Sequence, residues 1–158
     1  MELLKKLAAT ALGLGYLPLA PGTWASVAAA TAYVALRMLA PVQVAVTSLA
    51  CGVLVGLLLG FLVCPWAQRH FGTQDPRQFV LDEVVGQWLM FLVSWWMWDD
   101  VMLSAGIGLV VFRFFDIVKP PPINRAERVA GAWGVMIDDV LAAMYGATLV
   151  AIVVRFVL

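Results

Sequence analysis

Neighbouring carboxylates dominate the chemistry available to this sequence. Of ten acidic residues, six stand in three adjacent pairs, Asp82/Glu83, Asp99/Asp100 and Asp138/Asp139, and each pair borders an apolar run. Two like charges at the edge of hydrocarbon repel each other and resist desolvation, so they require water, a cationic side chain or a bound cation. Hard carboxylate oxygens select magnesium or manganese among divalent ions, with water completing the coordination. Asp82, Glu83, Asp138 and Asp139 thus form a candidate metal-binding and catalytic set, and Asp116 adds a fifth carboxylate. The competing reading is helix capping, because the helix dipole favours acidic residues at helix starts.

Arg113, Asp116 and Lys119 are spaced i, i+3, i+6 and share one helix face if a helix runs that far. A phosphate held by a metal on one side requires Arg or Lys on the other. The plainer alternative is a cationic membrane anchor containing one intrahelical ion pair. Pro120, Pro121 and Pro122 end any such helix and stiffen its exit. Covalent phosphatase chemistries lack their letters. Cys64 precedes Arg69 one position too early for Cys-x5-Arg, no Asp-x-Asp occurs, and the single histidine, His70, cannot serve as both nucleophile and acid. Water activated by a metal is the remaining route.

Positioning these groups falls to apolar helices. Hydrophobic residues make up 63% of the 158 and charged residues 13%, and mean hydropathy is +0.94. That composition is an integral membrane protein's, since a soluble core of this size needs a larger chain. The expected fold is all-α and polytopic, a single membrane-embedded domain over residues 1–158. Residues 3–15 read as a short amphipathic helix lying at the interface. Thr23, after Pro21 and Gly22, can cap the helix that follows. Apolar runs at 24–40, 42–66, 84–98, 101–115 and 140–158 give about five crossings, the third and fourth near the low end for ~30 Å of hydrocarbon. Trp95, Trp96 and Trp98 fit an aromatic belt.

Lys5, Lys6, Arg69, Arg77, Arg113, Lys119, Arg125 and Arg128 then fall on one side, which the positive-inside rule makes cytoplasmic. Residues 21–24, Asp82/Glu83, Asp116, Lys119 and Asp138/Asp139 all reach that side, and Asp99/Asp100 form a solvated turn opposite. Glycines 52, 56 and 60 mark close helix packing, either within the chain or between copies in a homo-oligomer. Cys51 and Cys64 are packing residues within one apolar run. Zero net charge offers no footprint for nucleic acid. The apolar start resembles a signal peptide only faintly, and cleavage near Pro21 is not expected.

Four segments carry a family resemblance: PGTWAS (21–26), DEVVGQW (82–88), FRFFDIVKPPPI (112–123) and GAWGVMIDDVLAA (131–143). In order and spacing they resemble the motifs of the phosphatidylglycerophosphatase A family, over nearly the whole chain from Gly13. The resemblance implies a small bacterial inner-membrane enzyme that removes the phosphate of phosphatidylglycerophosphate to give phosphatidylglycerol, dependent on magnesium. It also implies that Asp82, Glu83, Asp138 and Asp139 are the metal-binding and catalytic carboxylates, that Asp116 and Lys119 join them, and that Thr23 binds phosphate or caps a helix. The chain departs from the family pattern at Pro121, where an aromatic is frequent, and at Gly131-Ala132, where paired glycines are frequent. A transporter is the rival from another class, and it predicts carboxylates distributed in depth along a path. A lipid phosphatase of different head-group specificity is the rival within enzymes.

Overall fold

The structure is a computed structural model and describes residues 1–97 and 99–156. Its described residues form helices, turns and loops with no strand. Helix α1 (Glu2–Ala9) stops short of the expected residue 15. The Thr10 hydroxyl donates to the Lys6 carbonyl at 2.8 Å and accepts the Gly13 N–H at 3.0 Å, which closes the helix and turns the chain. α1 is tied down at both ends. Trp66 Nε1 donates to Glu2 Oε2 at 2.7 Å, and the Val80 N–H donates to the Ala9 carbonyl at 3.0 Å. Leu3, Leu4 and Leu12 stay exposed, as an interfacial segment requires.

Helix α2 (Pro21–Leu39) begins on Pro21 itself, whose fixed φ suits the first helical position. Thr23 therefore lies inside the first turn and makes no capping hydrogen bond, contrary to the expectation. Pro41 turns the chain into α3 (Val42–Phe71), which ends at Gly72 with φ 75°. Then come α4 (Leu81–Val93), α5 (Val101–Val118), the short α6 (Ile123–Ala126) and α7 (Ala132–Phe156). Asp100 caps α5 by accepting the Leu103 N–H at 2.8 Å, so the Asp99/Asp100 pair is an exposed turn. α7 starts well before the expected residue 140, and the last two residues of the expected helix, 157–158, lie outside the described residues.

Among the described residues, three helices, α3, α5 and α7, are long and apolar enough to cross a membrane, not five. α2 is diluted by alanines, threonines and Arg37, and α4 has only 13 residues, about 20 Å at 1.5 Å per residue. The tryptophan expectation also changes. Trp95 is buried beneath the Arg37 guanidinium, 4.4 Å from its ring centroid, Trp96 is exposed, and Trp98 lies outside the described residues.

Short as it is, α4 is the centre of the bundle, packed against α2, α3, α5 and α7. α2 and α3 touch each other little and flank α4. The glycine stripe of α3 receives α4 and α7 within the chain. A β-carbon at Gly52 would meet the Trp88 ring, at Gly56 the Val85 side chain, and at Gly60 Met136. Tyr33, Leu49, Phe91 and Trp95 fill the core between α2, α3 and α4, with the Tyr33 and Phe91 rings stacked at 4.2 Å. Met90, Phe112, Ala143 and Ala147 fill it between α4, α5 and α7. Both cores hold the C-terminal half of α4 against its neighbours, while Phe79 and Leu81 at its start pack with Val63, Ala67 and Met136.

Candidate active site

The loop before α4 is pinned by buried Pro76, Phe79 and Val80, so the first turn of α4 starts from a fixed point. That turn carries Asp82 and Glu83. Gly86, one turn on, presses against the Phe112 ring and the Asp139 Cβ, an approach only a glycine allows. Through this contact α7 comes alongside α4, and one carboxylate oxygen each of Asp82, Glu83 and Asp139 lies within 4.8 Å of the other two. Asp82 and Asp139 are buried and Glu83 is half-buried.

Asp82 and Asp138 make the same local bond: each uses Oδ1 to accept the N–H of the following residue at 3.0 Å. For Asp82 this resembles capping. For Asp138 it does not, because Asp138 and Asp139 lie in the second turn of α7 rather than at its start. The expected placement of both pairs at helix starts holds for Asp82/Glu83 alone.

The other oxygen of Asp138 accepts from Lys119 Nζ at 2.6 Å, and Lys119 also donates to Glu127 Oε1 at 2.8 Å. Asp138 thus faces a lysine, whereas Asp82, Glu83 and Asp139 face one another. Lys119 reaches this position because α5 runs to Val118 and Lys119 closes it at φ 45°. Burial works against its charge, but the hydrogen bonds to Asp138 and Glu127 outweigh that and lift its pKa above the ordinary lysine range. Lys119 is a fixed cation. One turn earlier, Arg113 and Asp116 form the intrahelical ion pair that their spacing suggested.

The N-terminus of α2 completes the arrangement. Gly22 lies so close to Glu83 that a β-carbon there would overlap its carboxylate, and Arg113 Nη1 would lie 3.2 Å from the same point. Thr23, the residue singled out from this segment, is half-buried beside it. His70 is elsewhere, stacked on Trp66 with ring centroids 4.7 Å apart. An open pocket of about 410 Å³, lined by Gln74, Asp75, Glu127, Arg128, Val135 and Asp138, leads away from the Lys119–Asp138 pair.

Gly22, Gly86 and Glu127 are the contributors that residue types did not reveal. A glycine carries no chemistry to notice, and Glu127 is an isolated acid in a loop.

The site fits a divalent cation. Among the described residues, six carboxylates, Asp82, Glu83, Asp116, Glu127, Asp138 and Asp139, share two cations, Arg113 and Lys119, and Glu83 Oε2 is buried without a hydrogen-bond partner. Oxygen-only donors of this type suit a hard ion. The carboxylates gather at one end of the bundle rather than along a path, unlike a transport route.

Carboxylates beside two cations, in a helical bundle with many large apolar residues exposed, are groups that a membrane-associated lipid phosphatase needs. The chain belongs to the phosphatidylglycerophosphatase A family, whose sequence model matches residues 7–154. It is 36% identical to a phosphatidylglycerophosphatase A of Haemophilus influenzae over 148 residues, 91% of this chain and 85% of that one. It is 32% identical to a phosphatidylglycerophosphatase A of Escherichia coli over 145 residues, 89% and 78% of the two chains. A Bacteroides thetaiotaomicron protein carrying the provisional name phosphatidylinositol-3-phosphatase is 35% identical over 147 residues, 90% and 89% of the two chains. No solved structure matches.

Proposed function

We propose that the protein hydrolyses the terminal phosphomonoester of phosphatidylglycerophosphate to phosphatidylglycerol and inorganic phosphate. The observation that carries this reading is the meeting of the Asp82, Glu83 and Asp139 carboxylates beside two fixed cations in a chain of this family. Asp82, Glu83 and Asp139 would hold magnesium, with Asp138 at its flank. When bound, that ion supplies Lewis acidity toward the phosphoryl group and the attacking water.

The chain's own groups do the rest. Arg113 and Lys119 bind the phosphate oxygens and offset the charge that builds on them. The first turn of α2 offers the Gly22 N–H and the Thr23 hydroxyl to the same anion, the Thr23 N–H being taken by the Ala20 carbonyl. A cluster carboxylate orients the water and accepts its proton as the water oxygen bonds to phosphorus. The bond from phosphorus to the glycerol oxygen breaks, and that oxygen takes up the proton the carboxylate accepted, which returns the carboxylate to its charged state. Lys119 stays charged throughout and acts as a binder, not a proton donor.

The site belongs on the cytoplasmic face of a bacterial inner membrane. The positive-inside rule supports this, because the contacts of Trp66 with Glu2, Val80 with Ala9, and Gly22 with Glu83 and Arg113 gather the segments that carry Lys5, Lys6, Arg69, Arg77, Arg113 and Lys119 at one end of the bundle. The head group enters from that side while the acyl chains stay in the bilayer. A second reading, a phosphatase for an inositol phosphate lipid, draws on the provisional name of the Bacteroides relative.

Phosphate release by purified protein in detergent micelles decides between them. The substrates are phosphatidylglycerophosphate, phosphatidic acid and phosphatidylinositol-3-phosphate, each with magnesium and with chelator. Preferential, magnesium-dependent release from the first supports the reading, release chiefly from the third replaces it with the second, and release from none rejects both.

A further inference from the structure

Beneath the carboxylates lies a buried polar layer that the proposed chemistry does not use. Gln87 and Ser26 are both fully buried, and neither amide atom of Gln87 nor the Ser26 hydroxyl has a hydrogen-bond partner within the protein. Each sits one helical turn past a site residue. Gln87 follows Glu83 at i+4 on α4, and Ser26 follows Gly22 at i+4 on α2, about 6 Å deeper along the axis.

Two contacts fix the register between the two helices. Gly22 of α2 faces Glu83 of α4. Farther along, Trp88 Nε1 donates to the Ala29 carbonyl at 3.0 Å. Ser26 and Gln87 fall between these two anchor points. Glu83 Oε2, directly above, is likewise buried without a partner.

An amide without hydrogen bonds in a hydrocarbon-like interior costs several kcal/mol, so its presence there requires a polar occupant. The layer offers a hydroxyl, a carboxamide and a carboxylate oxygen, and a bound water typically needs two to four such partners. We infer that Gln87 and Ser26 hold water that hydrogen-bonds Glu83 Oε2, making Gln87 a positioning residue for the Glu83 carboxylate. It acts through Glu83 and does not touch substrate. The inference rests on Glu83 being a metal-holding carboxylate, because a ligand's orientation is fixed by the groups behind it.

The test uses full-length protein in detergent micelles and Mn2+ as a spectroscopic probe of the divalent site, read by electron paramagnetic resonance. Gln87→Met keeps the volume and removes the amide. Mn2+ affinity then falls about tenfold or more. The melting temperature without metal is unchanged or raised, because an apolar isostere in place of an unpartnered amide is neutral or stabilising. In phosphate release, kcat falls and KM for the lipid holds. Ser26→Ala changes the same quantities in the same direction, and adding it to Gln87→Met costs nothing further, since both act through one hydrogen-bonded unit.

Unchanged Mn2+ affinity in Gln87→Met overturns the inference, as does a lowered melting temperature with affinity intact, which is the mark of a packing role. Should Gln87→Met fail to fold, Ser26→Ala decides by the same criteria. The two readings fail separately. Mn2+ binding without phosphate release from any lipid rejects the proposed reaction and leaves the positioning role testable by binding. No Mn2+ binding by the unsubstituted protein overturns the positioning role.

Discussion

Gly22 and Glu83 meet across α2 and α4 with no room for a methyl group between them. The atom in the way is the tip of a flexible side chain, so alanine at 22 displaces the carboxylate rather than the helix.

Gly22→Ala is therefore expected to fold, with stability within about 1 kcal/mol of the parent, while phosphate release drops about tenfold or more because a misplaced ligand carboxylate loses its geometry. Melting and phosphate release on one preparation check this. Equal activity would show that Glu83 tolerates displacement.

Gly86 is the stricter case, since its neighbours are the Phe112 ring and the Asp139 Cβ. Gly86→Val pushes α4 off α5 and α7, and a loss of about 2 kcal/mol or more is expected from overpacking. Gly106, with nothing within 4 Å, is the control, and Gly106→Ala leaves melting and activity unchanged. Thermal unfolding in micelles reads both.

Lys119 carries two carboxylates, and only 19% of its side chain is exposed. Lys119→Met leaves Asp138 uncompensated, at an expected cost of about 2 kcal/mol, part of the full buried-pair penalty being screened by solvent. Phosphate release is lost with it. Lys119→Arg keeps the charge and most of the stability. Unfolding curves of the three proteins check the ranking.

The raised pKa of Lys119 has a definite sign. Its contribution to stability is fully present below the unfolded lysine value of about 10.5 and is lost only as pH rises past that into the folded range. Wild type and Lys119→Arg should then show the same pH dependence of melting from about pH 6 to pH 9. Divergence within that window would show Lys119 titrating early.

Much of this arrangement was legible in the letters. Charge pairs beside hydrocarbon are scarce enough that Asp82/Glu83 and Asp138/Asp139 stood out, and the i, i+3 spacing of Arg113 and Asp116 gave their ion pair directly. Other features depend on partners distant in sequence. Asp138 and Asp139 looked like a helix start because the apolar run begins after them, yet Ala132 opens α7 earlier by packing into the core beside Val63 and Ala67. Thr23 drew notice for its hydroxyl, but the adjacent Gly22 makes the close contact. The five expected crossings are not matched at α2 and α4, whose apolar residues pack against neighbouring helices without making a span long and apolar enough to cross.

Magnesium should stabilise as well as activate. A ligand bound only by the folded state at about 100 times its Kd adds about 2.7 kcal/mol. Melting is expected to rise with magnesium in wild type and to stay flat in Asp139→Asn. A rise that persists in the variant would place the ion elsewhere.

The brevity of α4 carries a last consequence. Helix α4 covers only about 20 Å against ~30 Å of hydrocarbon, so a bundle that spans the membrane around it has room to hold its charged first turn below one surface. The depth at which a phosphate must be presented then depends on the membrane itself. Phosphate release is then expected to be faster in vesicles of short-chain lipids, which bring the head-group plane toward the carboxylates, than in long-chain ones, and equal rates would show that depth does not matter.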